Sequence, residues 1–138
     1  MTRNTKTGQV LEFMVLPSLD LGGYSYETQV NIGHRPGGGK HYVDVVAAKD
    51  EAMILISLKW QQVSGTAEQK VPFEVICLMA AMRQHSDFRK AYLVLGGSGW
   101  KLRDWYLSGE LNQYLNYESW VTICPLEQFI GQANSGKL

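Results

Sequence analysis

The sequence is poor in cysteine, in net charge and in long apolar runs, and each shortage excludes a class of protein. Its two cysteines, Cys77 and Cys124, lie far apart inside apolar stretches, which fits buried thiols in a reducing compartment and not a disulfide scaffold. Neither has a second Cys or a His at metal-ligand spacing, so no zinc site is indicated. Lys and Arg total 13 and Asp and Glu total 13. The basic excess usual in a dedicated DNA binder is therefore missing, although a local basic patch is still allowed. No apolar run approaches membrane-spanning length, and the segment from Met1 to Lys6 leads into no signal-peptide core. A cytoplasmic protein is expected, or one in the DNA-containing compartment of a host cell if a virus encodes it. Repeats, linkers and low-complexity tracts are absent as well.

What is present suits one compact domain. A chain of 138 residues, 45% hydrophobic and 19% charged, is long enough for a core and too short for two domains, so residues 1–138 are read as a single unit. Val10 to Leu16 reads as an apolar helix with Glu12 as its only charge, largely buried and ended or kinked by Pro17. Tyr24 to Ile32 alternates as a half-exposed strand does. Gly33 to Lys40 is rich in Gly but fails as a phosphate loop. The spacing of its glycines is wrong, His41 stands in place of Ser/Thr, and a strand follows where a helix is needed.

Two strands come next, His41 to Val46 and Ile54 to Gln62, with a polar turn between them that carries Lys49-Asp50-Glu51. Thr66 and Gln69 form a possible capping box. Pro72 either kinks that helix or marks the start of the main one, whose apolar face runs through Phe73, Ile76, Cys77, Ala80 and Ala81. Ala91 to Leu95 is a short apolar strand. Lys101 to Tyr114 reads as one amphipathic helix with Leu102, Trp105, Tyr106 and Leu111 inward, Trp120 to Cys124 as a last strand, and Pro125 to Ile130 as the start of a last helix. The fold class is α/β (α+β): a mixed β-sheet flanked by helices, in the order αβββαβα(β), with a parallel crossover between the last two strands.

The chemistry gathers on the central strands. Alternation puts Leu55, Ser57, Lys59 and Gln61 on one face and Ile54, Ile56 and Leu58 on the other. Asp44 shares a face with Tyr42 and Val46, so paired polar faces would bring together a carboxylate, a hydroxyl, an ammonium and an amide. The ordinary reading of such a pair is a solvated strand end or a simple salt bridge. Against it, Lys59 follows seven uncharged residues and Asp44 is enclosed by valines, where a lone charge is costly unless paired.

A helix with one Glu, a strand with an Asp, a strand carrying an x-x-K tripeptide and then a helix and an apolar strand resemble the PD-(D/E)xK nuclease superfamily. That superfamily includes restriction, homing and junction-resolving endonucleases, and the resemblance implies a restriction-endonuclease-like fold. By it, Asp44 is a metal ligand, Lys59 the motif lysine, Glu12 the helix carboxylate used by some members, and Gln61 the glutamine found beyond the lysine in some branches. Val43 replaces the motif Pro, and Ser57 stands where the second acid belongs. Some members with Ser there recruit a carboxylate from the next helix, here Glu74 or, second to it, Glu68. The implied cofactor is Mg²⁺, with Mn²⁺ able to substitute, held by Asp44, by Glu12 or Glu74, and by the Leu58 carbonyl.

The implied reaction is phosphodiester hydrolysis, with Lys59 positioning water or stabilising the transition state. DNA phosphates would meet Arg35, Lys40, His41, Lys70 and Arg103 foremost, then Arg83, Arg89, Lys90 and Lys101. Trp60 reads as core or interface. Cutting both strands with so small a domain implies a symmetric homodimer. The other readings are a metal-free nucleic-acid-binding or regulatory relative of the same fold, and an interaction module in which Asp44 and Lys59 form a structural ion pair.

Overall fold

The computed structural model describes residues 5–138. The N-terminal helix is longer than its apolar run: α1 (Thr5–Val10) continues through a π-helical turn (Leu11–Val15) into α2 (Leu16–Leu21). Pro17 does not end it. The Leu16 N–H bonds to the Leu11 carbonyl five residues back, and this wider turn lies just where an α-helical ladder would meet the pyrrolidine ring and its missing N–H. Nor is the helix largely buried. Val10, Leu11, Val15 and Leu19 face inward, while Phe13 and Met14 are exposed.

Five strands form one sheet in the order β1-β2-β3-β4-β5, with β1 spanning Ser25–His34, β2 Lys40–Lys49, β3 Ala52–Trp60, β4 Phe88–Gly96 and β5 Val121–Pro125. The first three are antiparallel neighbours, whereas β3-β4 and β4-β5 are parallel. Asp50 and Glu51, both at positive φ (53° and 69°), close a tight turn between β2 and β3, the primed geometry that matches strand twist. The α3 helix (Val71–Gln84) makes the crossover to β4 and starts at its Pro, preceded by a 3₁₀ turn (Ala67–Lys70) whose Thr66 makes no side-chain cap. The helix expected over 101–114 is two short ones, α4 (Arg103–Leu107) and α5 (Asn112–Leu115), parted at Gly109 with φ 85°. Leu102 is exposed, and Tyr106 and Leu111 are buried. The chain ends in α6 (Leu126–Asn134).

Alternation along β3 and β4 divides the core in two. Ile54, Ile56, Leu58, Tyr92 and Val94 pack under Val10, Leu11, Val15, Leu19 and Phe129 of the terminal helices. Leu55, Leu93 and Leu95 pack under Val71, Val75, Leu78 and Met82 of α3. The alternation slips once, in β2: Val45 and Ala47 belong to the first core, but Val43 and Val46 both belong to the second. Gln29, at φ 52°, sits on β1 between the pairs Thr28↔Val45 and Val30↔Val43. The β2-β3 ladder ends at Val45↔Ile56. Asp44 therefore stands at the point where β2 and β3 separate and backbone groups of β3 come free.

Candidate active site

Asp44 takes one of those freed groups. Its Oδ2 accepts the Leu58 N–H at 2.7 Å, and the Gln29 amide reaches its Oδ1 at 3.5 Å. Glu74, in the first turn of α3, enters from the neighbouring layer and is buried. Its Oε2 accepts the Ser57 hydroxyl at 3.0 Å and lies 3.7 Å from His41 Nε2, while its Oε1 lies 3.9 Å from Lys59 Nζ. Ser57 and Lys59 can meet one helix because they share a strand face with Leu55, the face that α3 covers.

The electrostatics set the two carboxylates apart. Burial, the largest influence on Glu74, would raise its pKa. It is outweighed by His41, Lys59 and Ser57 together, and the carboxyl is lowered to about 2. At 3.7 Å the His41 contact is too long for a formed hydrogen bond, so its influence is that of a close polar neighbour. Burial also dominates at Asp44 and raises it, against the lowering effects of the Leu58 N–H, Lys59 and Gln29, while the Glu74 charge raises it further. Two carboxylates thus face one ammonium.

The structure brings together Asp44, Ser57, Lys59 and Glu74, and leaves other expected groups elsewhere. Glu12 is exposed on the helix packed against the opposite sheet face, because its neighbours Leu11 and Val15 take the inward positions. Gln61 is buried but committed: its Nε2 donates to the Gly99 carbonyl and its Oε1 accepts the Glu68 N–H. The Glu68 carboxylate accepts the N–H groups of Lys101 and Leu102 and so anchors the start of α4. Leu58 meets Asp44 through its N–H. His41, at 1% exposure, is removed from the set of surface phosphate contacts.

Of the remaining cations, Lys40 and Lys70 are exposed, and Arg103 is engaged with Asp104 and Glu127. Arg35 donates to the Lys40 carbonyl and lies against the Cys77 thiol, which burial foremost pushes up and Arg35 draws back. Trp60 packs against the first core.

Sequence reasoning missed Gln29 and gave His41 a different role, as a phosphate contact. Gln29 left no signal, since its reach to Asp44 depends on a left-handed residue inside a strand. His41 was legible in principle, because it stands two residues before the buried Val43 and a strand repeats its inward positions at that interval.

The family can now be settled. A profile described as a PD-(D/E)XK nuclease superfamily domain matches residues 3–137. The chain belongs to that superfamily. Among curated proteins none matches. A crystal structure described as that of a protein of unknown function, AF1548, is similar over 80% of this chain, with 14% identity and a TM-score of 0.48. The present chain spans 54% of that chain's length. The mixed five-stranded sheet with flanking helices is the restriction-endonuclease-like fold of the superfamily.

Nucleases of this superfamily typically use divalent metals, and Asp44 and Glu74 are the oxygen donors that this chain could offer one. Among the described residues no three His, Cys, Asp or Glu side chains converge closely enough to hold an ion alone. The chain would supply two carboxylates, leaving the remaining positions to water, backbone and phosphate oxygens. That is the usual economy of a Mg²⁺ site.

Proposed function

We propose that this superfamily member is a Mg²⁺-dependent DNA endonuclease in which Asp44 and Glu74 hold the metal and Lys59 serves the transition state. One observation carries the reading. Each carboxylate has one oxygen fixed by a neutral donor of the chain, Leu58 N–H on Asp44 and Ser57 O–H on Glu74, while its other oxygen has only a long contact, at 3.5 Å and 3.9 Å. The arrangement fixes both groups and leaves lone pairs open, with more negative charge than Lys59 neutralises. Glu74 takes the part of the acid that Ser57 replaces. A bound Mg²⁺ supplies polarisation of the phosphate and a lowered pKa for its water.

Lys59, partly exposed and fixed beside Glu74, offers three donors to an attacking water or a phosphate oxygen. The Leu58 N–H keeps Asp44 oriented, and Ser57 does the same for Glu74. Lys40, Lys70, Arg103 and Arg35 are the candidate phosphate contacts, and a symmetric homodimer would allow both strands to be cut.

The test is cleavage of a panel of DNA forms (duplex plasmid, four-way junction and single strand) with Mg²⁺ or Mn²⁺, by wild type and by Lys59→Ala. Wild type should cut at least one form. The variant should cut none while remaining folded by circular dichroism, with a lowered melting temperature because the Lys59 ammonium helps keep Glu74 and Asp44 ionised. Full activity in Lys59→Ala removes that residue from the mechanism. Salt-dependent DNA binding by wild type without cleavage would favour a metal-free relative of the same fold, for which Ser57 in the acid position and the zero net charge speak.

A further inference from the structure

Glu74 approaches the site from a helix, whereas the acid position it replaces lies on β3. A carboxylate on a longer reach needs more fixing if it is to hold an ion as a strand residue would. Ser57 supplies one tether. His41 stands near the same oxygen: its Nε2 is 3.7 Å from Oε2, the residue is 1% exposed, and that nitrogen has no hydrogen-bond partner. A buried ring nitrogen without a partner is costly. Strand β2 nevertheless holds it against the carboxylate, where a shift of under about 1 Å would bring it into hydrogen-bond range.

We propose that His41 is a positioning residue for the nuclease reaction, whose Nε2–H closes on Oε2 of Glu74 and, with Ser57, reserves Oε1 as the metal-facing oxygen. The proposal rests on the metal-dependent reading above. The assignment divides the carboxylate by function. Oε2 lies near donors from two strands, Ser57 on β3 and His41 on β2, and Oε1 has only Lys59 nearby. Both tethers act on the same atom, so they oppose its rotation toward the ion without occupying the oxygen that binds it. Outer-shell donors of this kind orient a ligand and set its affinity for metal while not touching the ion.

The experiment measures MnCl₂ binding by calorimetry to wild type, His41→Ala and His41→Gln, alongside ring-nitrogen NMR of His41 with and without MgCl₂. Folding of each variant is checked by circular dichroism. Wild type should bind Mn²⁺, His41→Ala about 10- to 100-fold more weakly, and His41→Gln, whose amide can donate from nearly the same place, close to wild type. In cleavage, His41→Ala should lose kcat with KM for DNA unchanged. The Nε2 proton should persist when Mg²⁺ is added, and its resonance should shift in wild type but not in Glu74→Ala.

Equal Mn²⁺ affinity in wild type and a folded His41→Ala overturns the proposal alone, as does loss of the Nε2 proton on Mg²⁺ addition, which would make His41 a ligand. If His41→Ala does not fold, His41→Gln and the NMR decide: weak binding by a folded His41→Gln together with an unshifted resonance overturns it. Wild type that takes up no Mn²⁺ refutes the metal-dependent reading, and this proposal with it.

Discussion

Replacing Glu74 by Gln removes a titrating group while keeping the side chain's shape and its ability to accept the Ser57 hydroxyl, which makes the site's electrostatics measurable through stability. In the folded protein the Glu74 carboxyl is lowered from 4.5 to about 2: burial opposes ionisation most strongly, but His41, Lys59 and Ser57 together prevail. A carboxyl depressed on folding contributes stability that is complete above its ordinary pKa and lost as pH falls through the folded value. The difference is worth about 3 kcal/mol at neutral pH, taking 1.36 kcal/mol per pH unit.

Asp44 works in the opposite direction. Burial raises its pKa on folding, so its ionisation costs stability and the cost disappears in acid. Glu74 contributes to that rise, and Glu74→Gln therefore relieves part of it. The observed effect should fall below the full figure, at about 2 to 3 kcal/mol. The assay is urea unfolding followed by circular dichroism, for wild type and Glu74→Gln, from pH 7 down to about pH 3. The new amide's own contacts add a constant offset, so what matters is how the difference changes with pH. It should move in the wild type's disfavour as pH falls below about 4.5. Two profiles that stay parallel across that range would refute the claim that Glu74 is held ionised by its neighbours.

Three further outcomes follow from the same contacts. Gly97→Ala should destabilise the protein by about 2 kcal/mol or more, read as a lowered melting temperature: the position has φ 92°, and a Cβ there would lie 2.3 Å from the Gln61 carbonyl oxygen. Glu68→Ala removes the acceptor of two backbone N–H groups and should cost about 2 to 4 kcal/mol in urea unfolding, with faster amide exchange at Lys101 and Leu102. Cys77 and Cys124 are buried, and burial foremost pushes the Cys124 thiol up to about 12. A thiol reagent at neutral pH should therefore label neither in the native protein and both in urea, and rapid native labelling of Cys124 would contradict its place in the core.

Much of the fold was legible along the chain because its signals are local. The β-branched and apolar runs of β2, β3 and β4 mark strands whatever they pack against, and alternation along β3 assigned Ser57 and Lys59 to the face opposite Ile56 and Leu58. The errors came where a local rule met a long-range contact. Pro17 reads as a helix stop, but a π turn accommodates it. The run from Lys101 to Tyr114 reads as one helix, but Glu68 fixes its first residues from another element and Gly109 divides it. Gln61 reads as a motif residue, yet two loop contacts from distant segments hold its amide.

By itself the sequence determined the order of elements, the two faces of β3 and the short set of residues, Asp44, Ser57 and Lys59, that resemble a nuclease motif, but not the slip in β2 that puts Val43 and Val46 on one face. It left open which carboxylate completes that set, because Glu12, Glu68 and Glu74 all stand on or near helices that could reach the sheet. Tertiary packing selected the one that meets Ser57 and Lys59. The face of β3 that carries Ser57 and Lys59 is the one α3 covers, so Glu74 alone of the three meets them, while Glu12 faces solvent across the sheet and Glu68 is held by backbone donors. Side-chain direction along one strand is a property of two residues' spacing, whereas the choice of partner depends on which helix buries that face, and that is fixed only when the two layers of the core close over the sheet.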